Sequence, residues 1–192
     1  SVEKIQEKVK SKARWIRKQQ DFFVSFHPLT PQRTYVSGET HLYLGRQYRL
    51  RIKKSSKESV KLTKGYFIIN TPESKDSSHI KSLLRNWYEV KAEYHFDYMF
   101  EDLKSLKNSF TSQEVNLKKR WMKKRWGSCN LNGQITLNTE LIKAPKKCIE
   151  YVIIHELCHL GFLNHSKSFY NLLEKKLPNW KKIKYELEHC MV

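Results

Sequence analysis

The sequence predicts an α+β fold: a small antiparallel or mixed sheet, a long backing helix, and a shorter apolar helix with an H-E-x-x-H motif. Three observations support this prediction. Residues 33–72 alternate like short strands, residues 73–110 have helical apolar spacing, and the H-E-x-x-H motif lies in an apolar run after Pro145. With 39% hydrophobic and 12% aromatic residues among 192, the chain can also bury a core.

Residues 1–30 are predicted to form a basic helical arm, separate from a domain at 31–192. Apolar residues recur at three- and four-residue steps through residues 1–27, at Ile5, Val9, Ala13 and Ile16. Pro28 and Pro31 end this segment. Because basic residues interleave with the apolar stripe, we expect the arm to dock on the domain or on a partner.

The β-rich part of the domain is predicted at residues 33–72. Short alternating segments run from Tyr35 to Asn70, and Gly38, Gly45 and Gly65 separate them. This pattern predicts an antiparallel sheet of three or four strands, which Thr71-Pro72 closes.

The backing helix is predicted within residues 73–110, from about Ser77 to Lys107. We expect it to pack behind the candidate site. Its predicted buried stripe comprises Ile80, Leu83, Leu84, Trp87, Tyr88, Val90, Ala92 and Tyr94, and is extended by Phe96, Met99, Phe100, Leu103 and Leu106.

A hairpin is predicted at the start of the last part of the domain, residues 117–192. Two β-like segments flank Asn132-Gly133, a dipeptide that favours a type I′ turn. The second segment, Gln134–Asn138, comes shortly before the apolar helix.

Two helical regions are predicted to follow. Pro145 suits the first turn of a helix that runs to about Leu160, and Gly161 is a natural stop. A last helical stretch begins at Ser166, is interrupted by Pro178 and resumes at about residue 180.

The H-E-x-x-H motif consists of His155, Glu156 and His159. On a helix, the two histidines are about 40° apart and stacked, and the glutamate is about 100° from the first of them. Two imidazoles in this arrangement can hold one Zn²⁺, while the glutamate reaches water beside the metal. Since the surrounding residues 152–160 are otherwise apolar or Cys, burial of these polar groups needs a partner, and a metal would supply it.

A third metal ligand is expected because catalytic zinc sites have three protein ligands and an open position. His165 lies six residues after His159, so the chain must turn after the helix for it to reach the metal. Gly161 and Asn164 tolerate the left-handed conformations that such a turn could use. Glu174 is a weaker alternative as third ligand.

The basic composition leaves two interpretations open. The chain has 37 Lys plus Arg against 19 Asp plus Glu, a formal net charge of +18, which is spread along it. The sharpest cluster is Lys118 to Arg125, with six basic residues in eight. This cluster fits a solvated strand face and a phosphate-binding patch equally well.

No apolar run approaches the roughly 18 residues that cross a bilayer, so no membrane partner is expected. The first residues lack the apolar stretch of a secretory signal. The four cysteines form no C-x-x-C pair and are expected to be reduced thiols. These features predict a cytoplasmic protein.

Several segments resemble one known family. RWGSCNLNGQITLN and IKAPKKCIEYVIIHELCHLGFLNHSKSFYNLLEKKLPNW, with YVSGETHLYLGRQYRLRI and NWYEVKAEYHF upstream, are similar to the YgjP-like metallopeptidase domain. That family is related to the SprT-like and other zincin metallopeptidases, and the likeness covers about residues 35–185. The resemblance implies one zinc ion held by His155, His159 and His165, a catalytic Glu156, and a zincin-like active-site helix. Some relatives are associated with restriction systems, which implies a location near DNA.

The expected reaction is zinc-assisted hydrolysis with Glu156 as the group that moves the proton. For a peptide substrate, Gln134–Asn138 is predicted to be an edge strand that pairs with it. Arg125, Ser128 and Asn138 are the candidate substrate-binding residues.

Three hypotheses remain at this point. The first is a zinc peptidase that cleaves peptides or proteins. The second is a zinc hydrolase of nucleotides or other phosphoanhydrides, which basic residues near the motif favour. The third is a nucleic-acid-binding module with a structural zinc, and the glutamate beside an open metal position argues against it.

Overall fold

The computed structural model describes residues 1–27, 31–103, 106, 110 and 114–191. The chain divides into two compact units, Ser1–Gln32 and Arg33–Met191. The first unit contains helix α1, Val2–Val24, none of whose residues is buried. The predicted break at Pro28 lies outside the described residues. The arm's role stays a prediction.

The first sheet of the second unit is mixed. Its strands are β1 (Thr40–Tyr43), β2 (Arg46–Lys54), β3 (Ser59–Thr63) and β4 (Tyr66–Thr71), in the order β1-β2-β4-β3. The hairpins β1–β2 and β3–β4 are antiparallel, but β2 and β4 pair in parallel. The predicted fold class, which allowed a mixed sheet, is confirmed, but the antiparallel pairing expected from the alternation is wrong at the centre of this sheet. The reason is that β3 is the edge strand of the sheet. β4 therefore lies next to β2 and runs in the same direction.

Both hairpins of this sheet turn through two residues with positive φ. Leu44 and Gly45 have φ of 48° and 78°, and Lys64 and Gly65 have φ of 45° and 83°. Positive φ at both central residues is characteristic of type I′ turns, whose backbone twist matches that of the flanking strands.

The backing helix, α2, spans Ser77–Asp102 and begins at Asp76, whose carboxylate accepts hydrogen bonds from the N–H groups of Ser78 and His79. It ends before the predicted Lys107, and residues 104, 105 and 107 lie outside the described part. Val90 and Tyr94, predicted to be buried, are 67% and 68% exposed. The fully buried residues are a subset of the predicted stripe and follow four-residue steps along one narrow face, at Ile80, Leu84, Tyr88, Ala92, Phe96 and Phe100.

The second sheet has three strands, β5 (Asn116–Arg120), β6 (Gly127–Cys129) and β7 (Gln134–Asn138), in the order β5-β7-β6. β6 and β7 form the expected hairpin, while β5 pairs with β7 in parallel. The predicted type I′ turn is wrong, because only Gly133 of Asn132-Gly133 has a positive φ. The Gly133 N–H donates to the Asn130 carbonyl, and the hairpin closes through a longer turn.

The C-terminal part consists of a short 3₁₀ helix, Thr139–Lys143, and helices α3 (Lys146–Cys158), α4 (Lys167–Lys176) and α5 (Trp180–Cys190). α3 lies at the centre of the core and packs against α4, α5 and β6. Nine of its 13 residues are buried, which agrees with its apolar sequence. Among the helices that the structure describes, none is both long and apolar enough to cross a membrane.

Candidate metal centre

Helix α3 presents the motif residues at its C-terminal end. His155 and Glu156 lie in its last turn, and His159 caps it with helical φ and ψ. Because His155 and His159 are one turn apart, their rings lie side by side with centroids 5.1 Å apart. Local helix geometry alone therefore brings these two imidazoles together.

His165 reaches them because the chain tightens and reverses after α3. The N–H groups of Leu160 and Gly161 donate to the carbonyls three residues back, those of Leu157 and Cys158. Neither Gly161 nor Asn164 has a positive φ, so the expected left-handed residues are not used. The turn is made by this tightened end and by Ser166, whose hydroxyl caps α4 at the Phe169 N–H.

The three histidines form one cluster. One ring nitrogen of each lies within 4.8 Å of the others, and the Nε2 atoms of His155 and His165 are 3.0 Å apart. Zn–N bonds of about 2.0–2.1 Å at tetrahedral angles place two ligating nitrogens about 3.3 Å apart. Two lone pairs that face each other in this way repel unless a cation or a proton lies between them. The donor set and its spacing fit one divalent metal ion.

The protonation of these rings also suits metal binding. His159 Nδ1 lies 3.0 Å from the Phe162 carbonyl oxygen, which favours a proton on Nδ1 and a lone pair on Nε2. Burial and the neighbouring His159 and His165 lower the pKa of His155 to about 3, and burial lowers the pKa of His165 as well. Since metals bind the neutral imidazole, rings that resist protonation bind them over a wide pH range.

Phe169 packs against all three rings and was not predicted from the sequence. Its fully buried ring has its centroid 5.0 Å from that of His155 and 4.7 Å from those of His159 and His165. The one signal in the sequence is its position four residues after His165, the spacing of neighbours on a helix face. Because Phe169 belongs to α4, only the packing of α4 on α3 makes the contact.

Glu156 is buried beside the histidine cluster, at 6% exposure. Burial raises the pKa of its carboxyl to about 7, while the positive charge of Arg125 opposes the rise. Gly127 of β6 lies directly against this side chain: a Cβ there would be 2.6 Å from Glu156 Oε1. The glycine therefore provides the space that the carboxylate occupies.

A cavity of about 610 Å³ opens over the cluster. On one side it is bordered by β6 and the residues just before it, and on the other by side chains of the C-terminal helices. Its lining consists of the three histidines and Glu156, together with Arg125, Trp126, Gly127, Ser128, Cys129, Tyr151, Val152, Leu163, Tyr170, Trp180 and Lys184. Its volume lies in the range of about 300–1,000 Å³ that is typical of ligand-binding clefts.

The structure places the three candidate substrate-binding residues differently. Arg125 and Ser128 line the cavity. Asn138 does not: it is 3% exposed and its amide is fully bonded to the segment around Met122 and to the Glu140 N–H. A direct substrate contact by Asn138 is therefore contradicted, since its side chain faces the protein interior.

Two further expectations are corrected. β7, the predicted substrate-pairing edge, is the central strand of its sheet, so both of its edges are already hydrogen-bonded. Glu174, the alternative third ligand, instead accepts hydrogen bonds from the Trp180 indole N–H and the Lys181 ammonium. Its carboxylate is not among the groups near the histidine cluster in the described residues.

Comparison with known proteins identifies a family and two partly similar solved structures. A family model for the YgjP-like metallopeptidase domain matches residues 1–190. Two solved metallopeptidase zymogens are similar to part of the chain: abylysin of Pyrococcus abyssi (27% identity, 46% of this chain and 87% of that one, TM-score 0.41) and jannalysin of Methanocaldococcus jannaschii (18% identity, 50% and 97%, TM-score 0.44).

No curated protein sequence matches the chain. The family match nevertheless covers both structural units, the H-E-x-x-H helix and all three clustered histidines. Metallopeptidases of this kind need a divalent metal ion, and the donor set described above fits one. The chain therefore belongs to the YgjP-like metallopeptidase family and is a metal-dependent peptidase.

Proposed function

We propose that this peptidase uses one zinc ion, held by His155, His159 and His165, and that Glu156 is its catalytic carboxylate. The observation that carries the proposal is the convergence of three imidazoles beside one buried carboxylate. Three clustered imidazole nitrogens, with no fourth protein ligand among the described residues, are the donor set of catalytic zinc.

A zinc ion bound here would polarise the scissile carbonyl and lower the pKa of water at the site. Glu156 then accepts the proton of the attacking water and passes it to the leaving amine. The raised pKa of this carboxyl, caused by burial, brings it toward the range in which one group can both take and return a proton at neutral pH. Gly127 leaves the space in which that carboxylate lies.

The peptide is proposed to bind along β6 rather than β7. In the β6–β7 pair, the N–H of Asn138 donates to the Trp126 carbonyl, and the N–H of Asn130 donates to the Gln134 carbonyl. Alternation along an antiparallel pair then directs the backbone groups of Gly127 and Cys129 away from β7. Since β6 borders the cavity, these groups can pair with an extended substrate beside the metal. Ser128 lies between them and also lines the cavity.

Other partners have weaker support. The family and the similar structures are described as metallopeptidases, and neither supports a nucleotide or a DNA partner. The four cysteines are free thiols, which supports our expectation of a reducing, cytoplasmic compartment. Phosphate release from nucleotides, measured beside peptide cleavage, tests the phosphoanhydride alternative directly.

The proposal is tested by metal analysis and by cleavage of quenched fluorescent peptides. We expect one zinc per chain and a cleavage activity that a chelator removes and zinc restores. Glu156→Gln should keep the zinc and lose about 10²- to 10⁴-fold in kcat. Glu150→Gln, on the same helix but outside the cavity lining, is the matched control. Wild-type activity in Glu156→Gln, or cleavage without metal, would contradict the proposal.

A further inference from the structure

The charged residues that line the cavity are unbalanced. Arg125 and Lys184 contribute positive charge, and Glu156 is the one acidic residue among the lining residues. Glu156 is buried and assigned to proton transfer, so it is not available to pair with a substrate cation. The cavity therefore favours a substrate that brings negative charge of its own.

Of these two cations, Arg125 is the one without an acidic partner. Lys184 Nζ lies 3.7 Å from Glu188 Oε1, so its charge is partly neutralised. Among the residues that the structure describes, no carboxylate lies within ion-pair distance of Arg125. Its guanidinium is therefore available to a carboxylate of a substrate in the cavity that it lines.

The backbone of Arg125 is held in place. Its carbonyl accepts a hydrogen bond of 3.0 Å from Asn138 Nδ2, and the same amide donates to the Met122 carbonyl. The backbone of Arg125 is therefore restrained, two residues before Gly127 of β6. Arg125 and Gly127 line the same cavity, so a substrate that pairs with Gly127 shares this cavity with the Arg125 side chain.

We propose that Arg125 binds a carboxylate of the peptide substrate, so that the enzyme prefers Asp or Glu close to the scissile bond. The inference rests on the proposed function and names its substrate class. A guanidinium suits this role because its planar fork can donate two parallel hydrogen bonds to a carboxylate. The strong net positive charge of the chain adds long-range attraction for acidic peptides.

The test uses pairs of quenched peptides that differ only by Glu or Gln at one position near the scissile bond. For the zinc-loaded wild type we expect kcat/KM about tenfold higher for the Glu peptide at one such position. Arg125→Gln should reduce this ratio to about one, and Arg125→Glu should favour Lys at the same position. Lys124→Gln removes a neighbouring exposed charge outside the cavity lining and should keep the wild-type ratio.

The readout is a ratio within each variant, so an overall loss of activity does not affect it. Equal cleavage of both peptides by wild type, or an unchanged ratio in Arg125→Gln, overturns the inference and leaves the proposed function intact. Failure of wild type to cleave any peptide contradicts the proposed function instead. In that case, the affinities of the Glu and Gln peptides for zinc-loaded Glu156→Gln protein are compared. Tighter binding of the Glu peptide supports the inference, and equal binding overturns it.

Discussion

The carboxylate of Glu156 lies directly against the α-carbon of Gly127. A methyl group at Gly127 would lie 2.6 Å from Oε1 and 2.8 Å from Cγ of the glutamate, closer than van der Waals contact allows. Strand β6 and helix α3 thus meet at one point where a side chain on the strand would displace the proposed catalytic group.

Gly127→Ala should impair catalysis more than folding. The added methyl must push Glu156 aside, and a displacement of about 1 Å at a reacting group costs about 100-fold in rate. We expect kcat/KM to fall by about that factor while zinc content stays at one per chain. Gly161→Ala is the control, since its new Cβ would meet nothing closer than 3.7 Å. Equal activity of the two variants would contradict the proposed role of Gly127.

His165→Ala should weaken zinc binding. Loss of one of the three proposed ligands should lower the affinity for zinc by more than roughly 100-fold. That factor is typical when a metal ligand only loses a supporting hydrogen bond. Competition with a chelator of known affinity measures this directly, and zinc should raise Tm in wild type but much less in the variant. His27→Ala, an exposed histidine in the first unit, should behave like wild type. Unchanged affinity in His165→Ala would exclude this residue as a ligand.

Asn138→Ala should destabilise the protein although it touches no substrate. It leaves the Met122 and Arg125 carbonyls and two N–H groups without their partner, which should cost about 1–3 kcal/mol in urea unfolding. Asn138→Asp keeps an oxygen for the two N–H donors and loses the two bonds to the carbonyls. If both variants were as stable as wild type, the amide would not hold the segment before β6.

His41 should make the protein less stable in mild acid. Burial, together with the positive charges of Arg33 and Lys143, lowers the pKa of this ring to about 4, although the Glu39 carboxylate 3.4 Å away opposes the shift. The ordinary value is 6.5, so between these two values the unfolded chain binds a proton that the folded protein excludes. The contribution of His41 to the free energy of unfolding should therefore be constant above about pH 6.5. It should decrease as the pH falls from 6.5 toward 4, by up to about 3 kcal/mol.

Urea unfolding of wild type and His41→Gln at several pH values checks this expectation. His155 has a lowered pKa too and adds to the wild-type slope, so the informative quantity is the difference between the two proteins. That difference should be flat above pH 6.5 and change below it. A parallel pH dependence in both proteins would show that His41 is not responsible.

The elements that could be predicted from the sequence are those whose geometry is local. The apolar burial of α3, the approach of His155 to His159 and the position of α2 all follow from one helical period. The errors lie where a partner decides the outcome. Val90 and Tyr94 fit a broad apolar face, but only a narrow stripe of α2 finds a partner.

Strand pairing shows the same limit. Alternation of apolar and polar residues predicts a strand but not which strand lies beside it. β7 was predicted to be an edge strand, but it lies between β5 and β6. The edge beside the metal site is therefore β6, a strand of three residues that is too short for a clear alternating pattern. Asn138 was likewise predicted to bind substrate. In the structure, residues 122–125 pack around its amide and take up its hydrogen bonds.

By itself, the sequence determined that two imidazoles and a glutamate share one end of a buried helix, because residues a few positions apart on a helix have fixed relative directions. Tertiary structure alone decided that His165 turns back to them, that Phe169 packs under all three rings and that Gly127 leaves room for Glu156. These contacts join residues on different elements. Their distances depend on how the elements pack, and no local period in the sequence specifies that packing.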